Sequence, residues 1–253
     1  MIVLIGPSGA GKGTQAERIV ATRPFLHVST GDLFRENLRD RTALGRRVRR
    51  YLHRGELVPE EIVEAVIRGR LRAPGARDGF LLDGYPRTLH QATVLEEMLA
   101  GVGDTLEAVL YLKVSDREVV ERRIPGRLTC EDCQRPYHET TCRPRVPGTC
   151  DVCGGKLYRR SDDTREWART RLRVFHRQTA PVVDHYQKAG KLIVIDGEGT
   201  IDHVYEELAK VIDALERHEA RPATAEESRE ILALREPPKV PPAGEALRRA
   251  LDL

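Results

Sequence analysis

Gly6-Pro7-Ser8-Gly9-Ala10-Gly11-Lys12-Gly13-Thr14 decides the fold of this chain. It follows Ile2-Val3-Leu4-Ile5, an apolar run that reads as a buried parallel strand. It precedes residues 15–22, where Ala16, Ile19 and Val20 alternate with charge as on a helix. Strand, glycine loop and helix N-terminus together make a phosphate cradle. The glycines let successive N–H groups turn inward, the helix end adds partial positive charge, and Lys12 adds a full one. The hydroxyl arrives one residue late, so the G-x-x-x-x-G-K-[ST] pattern is met as G-x-x-x-x-G-K-G-T.

Working outward, strand alternates with helix. Phe25-Leu26-His27-Val28 reads as a second strand, closed by Ser29-Thr30-Gly31-Asp32, with Ser29 or Thr30 as the N-cap of the next helix. Residues 33–54 are arginine-rich and helical, with Gly45 expected to divide them. Residues 60–72 form another amphipathic helix, ended by Pro74-Gly75. Residues 79–83 read as a third strand, residues 106–114 as a fourth and residues 191–196 as a fifth. Thr88 with Gln91, and Ser115 with Glu118, are spaced as capping boxes; the helix from Asp116 is expected to run to Pro125-Gly126. Residues 162–189 read as helix kinked near Pro181, and residues 201–217 as a last amphipathic helix. The pattern predicts an α/β fold, a parallel sheet with right-handed crossovers. Residues 218–253, with Pro237-Pro238 and Pro241-Pro242, read as an appended tail.

Composition narrows the classes. The chain has 253 residues, 40% hydrophobic and 32% charged, enough for one main domain with insertions. No apolar run approaches a membrane span and no signal peptide is visible, so the expected location is the cytoplasm, without membrane attachment. A net charge of +3 does not support bulk nucleic-acid binding. Only 7 of the 42 basic residues are lysine, leaving 35 arginines, whose planar forks suit phosphate.

Residues 126–160 lose helical periodicity and gain Cys, Pro, Gly and Thr, which marks a small inserted domain. Cys130 and Cys133 form one knuckle, Cys150 and Cys153 a second, and sixteen residues separate them. That spacing fits a structural tetrahedral Zn²⁺, with iron as the alternative for four thiolates. An insert this small cannot build a core, so a metal would supply its folding energy. Cys142 has no partner in the pattern.

The glycine loop, Ser29-Thr30-Gly31-Asp32, Asp83-Gly84-Tyr85-Pro86-Arg87-Thr88 and Arg160-Ser161-Asp162-Asp163 follow one another in order. With these motifs the chain resembles adenylate kinase, in the bacterial form with a long zinc-bearing lid, over about residues 1–215. Ser8, where the family often has proline, and Ser161, between Arg160 and Asp162, depart from its pattern. The resemblance implies reversible transfer from Mg-ATP to AMP giving two ADP, by a monomer with a five-stranded parallel P-loop core. It divides the chain into a core of residues 1–28, 59–125 and 164–217, a nucleoside-monophosphate insert of 29–58 and a zinc lid of 126–163; the tail, 218–253, stays unassigned.

For this chemistry no general base is needed, because the attacking phosphate oxygen is already anionic; the eight histidines are given no catalytic role. The resemblance implies Lys12, Arg87, Arg123, Arg160 and Arg171 as the catalytic cations. Gly9, Ala10, Gly11, Lys12, Gly13, Thr14, Arg123, Arg127, Pro136, Tyr137 and Gly199 would contact ATP. Thr30, Arg35, Glu56, Leu57, Val58, Gly84, Tyr85, Pro86, Arg87, Gln91, Arg160 and Arg171 would contact AMP. Asp83, ending a parallel strand, would hold Mg²⁺ through water; Asp32 is equally well read as a helix N-terminal charge. Two other readings compete. A kinase preferring UMP or CMP is disfavoured by Thr30 and the long lid, and a zinc-ribbon nucleic-acid binder by the low net charge and intact arginine set.

Overall fold

The computed structural model describes residues 1–72 and 79–217. The expected turn at Pro74-Gly75 and the tail of 218–253 lie outside them. A five-stranded sheet carries the chain: β1 (Ile2–Ile5), β2 (Leu26–Ser29), β3 (Phe80–Asp83), β4 (Ala108–Lys113) and β8 (Leu192–Asp196), in the order β2-β3-β1-β4-β8. Every pairing is parallel. Alternate strand residues feed two cores, as a sheet buried on both faces requires. Val3, Ile5, Leu82 and Tyr111 pack on one side; Ile2, Leu4, Leu81 and Leu110 pack on the other.

On the first side lie α2 (Thr30–Arg39), α3 (Ala43–Arg54), α4 (Glu60–Leu71), α5 (Leu89–Ala100) and α8 (Ala180–Lys188). On the second lie α1 (Lys12–Thr22), α7 (Arg165–Val174) and α9 (Ile201–Glu216). Among the described residues no helix is long and apolar enough to cross a membrane. Between β4 and β8 the chain leaves the core to form β5 (Arg127–Cys130), β6 (Pro136–His138) and β7 (Leu157–Tyr158), a separate antiparallel sheet in the order β6-β5-β7.

Register sets up the site. Leu4 pairs with Asp83, and Ser29 pairs with Asp83 on its other side. The carboxyl ends of β2, β3 and β1 therefore stand together, with the glycine loop leaving β1. Strand order reverses at β1, between β3 and β4, which is where such sheets open a crevice.

Several local expectations are corrected. Gly45 does not divide the arginine-rich helices; the break falls before Thr42, whose hydroxyl caps the Gly45 N–H and starts α3. Gly45 is needed for space, because a Cβ there would run into the Asn37 carbonyl of α2. Neither capping box closes reciprocally. The Thr88 and Ser115 hydroxyls accept from Gln91 and Glu118 as expected, but Gln91 Oε1 accepts the Arg87 N–H and Glu118 turns to Arg122 and Arg123. The helix from Asp116 is one α-turn, α6 (Asp116–Glu118), widened into a π-turn over Val119–Arg123. A second π-turn, Phe175–Thr179, joins α7 to α8, with Pro181 in the first turn of α8. Residues 162–164 precede α7 instead of joining it, since Thr164 is its N-cap.

Candidate active site

A cleft of about 720 Å³ opens at the carboxyl edge of the sheet, between the glycine loop, α2, the Asp83–Arg87 loop and the antiparallel sheet. That size lies within the range of small-molecule sites. The glycine loop is its floor. Gly9 sits at φ +88 against the Ile124 side chain, a position that a larger residue enters only with strain. Gly11 caps α1, and Lys12 begins it. The Lys12 ammonium donates to the carbonyls of Gly6 and Pro7, both at 3.0 Å, which folds the side chain over its own loop. Ala10, Gly13 and Thr14 line the same floor.

The walls are cationic. Lys12, Arg35, Arg87, Arg123, Arg127, Arg160 and Arg171 all line the cleft. Arg123 donates to the Ala10 carbonyl at 3.1 Å and to Gly197 at 2.5 Å, and Glu118 holds its Nε. Arg127 is gripped by the buried Asp163, its Nε 2.8 Å from Oδ2. Arg171 pairs with Asp162 and lies 3.5 Å from the Ser8 hydroxyl. Arg35 pairs with Asp32. The Arg87 Nε donates to the Gly84 carbonyl at 2.7 Å, and the Thr179 hydroxyl holds the Arg87 carbonyl from the second π-turn.

These cations repel one another where water is scarce. Burial pulls the Lys12 ammonium below its ordinary range, with Arg87, Arg127 and Arg35 adding and Asp83 opposing. Burial and the nearby Arg35 and Arg171 lower Arg87, against Asp83. Burial, then Arg35 and Arg127, hold Arg160 down at about 10, and its buried Nε has no hydrogen-bond partner. Such a cluster is costly unless an anion joins it.

The remaining predicted residues come to the same cleft. The Thr30 hydroxyl donates to the Gly84 carbonyl at 2.9 Å, and Glu56, Leu57, Val58 and Pro86 complete that wall. Gln91 is buried with Oε1 committed to Arg87, which leaves its amide hydrogens as donors. Tyr85 is fully buried in the core beneath a cis bond to Pro86, and it is absent from the lining; its place in the site is structural. Gly199 lines the opposite end, packed on His203. Pro136 and Tyr137 also line the cleft, but the Tyr137 hydroxyl is turned into the cysteine knuckles, 2.8 Å from the Asp151 N–H and 3.4 Å from Cys150 Sγ. The Asp83 carboxylate faces the glycine loop, with Oδ2 3.9 Å from where a Cβ on Gly13 would stand.

Cys130, Cys133, Cys150 and Cys153 place their sulfurs within 4.8 Å of one another. Cys130 lies 3.4 Å from Cys153, and Cys133 lies 3.6 Å from Cys150. A tetrahedron of Zn–S bonds near 2.3 Å has edges of about 3.8 Å, so the four thiols fit one metal ion. Cys142 stays outside the cluster, as expected.

Sequence reasoning missed the residues that hold the arginines: Glu118, Asp162 and Asp163. The last two stand inside a motif it had singled out, and that adjacency to Arg160 was the available signal. It also passed over His138. The His138 ring ties β6 to the first π-turn, with Nε2 3.1 Å from the Arg122 carbonyl and Nδ1 accepting the Thr140 and Thr141 N–H groups. Gly126 leaves room for this ring.

A parallel sheet whose glycine loop opens on a cation-lined cleft defines a P-loop phosphotransferase. Over residues 4–191 the chain matches the family model described as adenylate kinase. It is 49% identical over 220 residues to an adenylate kinase of Acidothermus cellulolyticus, covering 87% of this chain and 99% of that protein. It is 46% identical over 216 residues to one of Carboxydothermus hydrogenoformans, covering 85% and 99%, and 44% identical over 211 residues to one of Listeria innocua, covering 83% and 98%. The chain belongs to the adenylate kinase family.

Proposed function

We propose that this enzyme transfers the terminal phosphoryl group of Mg-ATP to AMP, reversibly, giving two ADP. The observation that carries the reading is the cluster of cations lining the cleft with the glycine loop as its floor. Two anionic nucleotides meeting end to end need their repulsion cancelled, their phosphates aligned and water kept out. On this reading Lys12 and the loop amides hold the ATP phosphates, with Arg123 and Arg127 above them. Arg35 and Arg87 hold the AMP phosphate. Arg160 and Arg171 stand between, over the group in flight, where charge spreads in the transition state. Thr30, the backbone around Leu57-Val58, and the Gln91 amide take the AMP base.

Asp83 fits a magnesium ion held through water, since its carboxylate faces the loop. Magnesium bound with ATP would offset the charge of its phosphates. The four thiolates hold a structural zinc, because a closed four-sulfur shell leaves no position for substrate. We take residues 29–58 as the AMP-binding insert and residues 126–163 as a lid over ATP. The same reading makes the protein a cytoplasmic monomer acting on ATP, AMP and ADP. A coupled assay of ADP formation with ATP and AMP, UMP or CMP tests it. AMP should be preferred by about 10² or more in kcat/KM, because a wrong base leaves buried polar groups unpaired. Comparable values for CMP would favour the UMP/CMP-type kinase instead.

A further inference from the structure

The chain has one tryptophan, Trp167, in the first turn of α7. It is half-buried, and it does not line the cleft. Its indole lies against Gly55, the residue that ends α3 and leads into Glu56, Leu57 and Val58. A methyl group placed on Gly55 would come within 3.1 Å of Trp167 Cε3 and Cζ3, and within 3.5 Å of Arg171 Cγ. Trp167 and Arg171 stand four apart, so they share one face of α7. Gly55 meets both with its bare Cα, at φ +67, a left-handed position where its N–H closes α3 onto Leu52 and Tyr51.

We infer that Trp167 is a positioning residue: its ring and the Arg171 stem form the seat on which the Gly55 turn lands when the 29–58 insert closes. The far end of that same Arg171 reaches Asp162 and the Ser8 hydroxyl of the glycine loop. Seating the insert therefore fixes the arginine stem whose guanidinium faces the phosphates. Gly55 serves because any side chain would hold the turn off the ring. The inference rests on the reading of 29–58 as the AMP-binding insert.

A single tryptophan makes the seat directly observable. In the full-length protein, AMP alone should shift Trp167 emission saturably, as the ring is covered, and ATP alone should shift it less. In Gly55→Ala the AMP-dependent shift should be largely lost. Trp167→Ala should raise KM for AMP about tenfold, leave KM for ATP within about twofold, and lower kcat through Arg171. Trp167→Phe, which keeps an aromatic seat, should recover most of the loss. An emission unmoved by AMP that calorimetry shows to be bound would overturn the inference while leaving the insert's function standing. So would an unchanged KM for AMP in Trp167→Ala, or equal rises in KM for both nucleotides. If calorimetry detects no AMP binding at all, the reading of the insert fails, and the seat fails with it.

Discussion

At the scale of single residues, the cleft separates side chains that serve the free fold from those that cost it. Glu17, on α1 and in the cleft wall, belongs to the second kind. Burial pushes its carboxyl up from 4.5 to about 7, with Arg135 opposing and Asp32 and Cys150 adding. A carboxyl raised on folding keeps a proton that the unfolded chain has released. Its contribution is therefore intact below about pH 4.5 and is lost as pH rises through about 7. Glu17→Gln should then melt above the parent at pH 8 and together with it at pH 4. An offset of the same size at both pH values would contradict this. Residue positions were legible unevenly. That Lys12 and Asp83 would stand in one cleft could be read from sequence, because a strand end beside a glycine loop has one geometry. The grip of Asp163 on Arg127 crosses 36 residues, and nothing in local spacing announces it.

At the scale of elements, periodicity indicates that a helix forms but not how wide its turns are. The π-turns over Val119–Arg123 and Phe175–Thr179 therefore escaped reading, although each ends beside a cleft residue or supports one. Gly45 was legible as unusual and misread as a break. A Cβ on it would run into the Asn37 carbonyl and Leu38 Cα, where α2 meets α3. Gly45→Ala forces backbone apart, and overpacking of this kind costs about 1–3 kcal/mol or more. Its melting temperature should fall by several degrees, at roughly 2–4 °C per kcal/mol in a chain of this size. An unchanged melting curve would show that the helices separate freely. The four-cysteine cluster, by contrast, was legible from its spacing, while the antiparallel sheet that carries it was not, because its strands are only two to four residues long. If zinc is structural there, a chelator should lower the melting temperature, while much activity survives in the cold once excess Mg²⁺ is restored. Protein purified without metal and melting unchanged would refute the site. Folded apo-protein inactive until zinc returns would give the metal a larger part.

At the scale of the molecule, the parts converge on one cavity. The sheet order and the strand ends were readable from alternating elements, and so was the site's location above β1. What could not be read is how the parts touch. Arg39 of α2 lies 3.5 Å from the Asp132 carbonyl beside the cysteines, and Gly55, at the end of α3, lies on Trp167 of α7. Lys12, Arg35, Arg87, Arg123, Arg127, Arg160 and Arg171 line one cleft; carboxylates pair with Arg35, Arg123, Arg127 and Arg171, and of the other three Arg160 is the least compensated. Its Nε is buried without a partner, and its charge is disfavoured by burial and by Arg35 and Arg127. The central claim is that this repulsion is held for a polyphosphate and discharged in transfer. Arg160→Met keeps the stem and removes the charge, so kcat at saturating ATP and AMP, read beside the melting curve, tests the claim most directly. The account predicts that kcat falls by about 10²–10³, the scale of one lost transition-state donor, with a melting temperature no lower than the parent's. A folded Arg160→Met enzyme turning over at near the parent rate would contradict it.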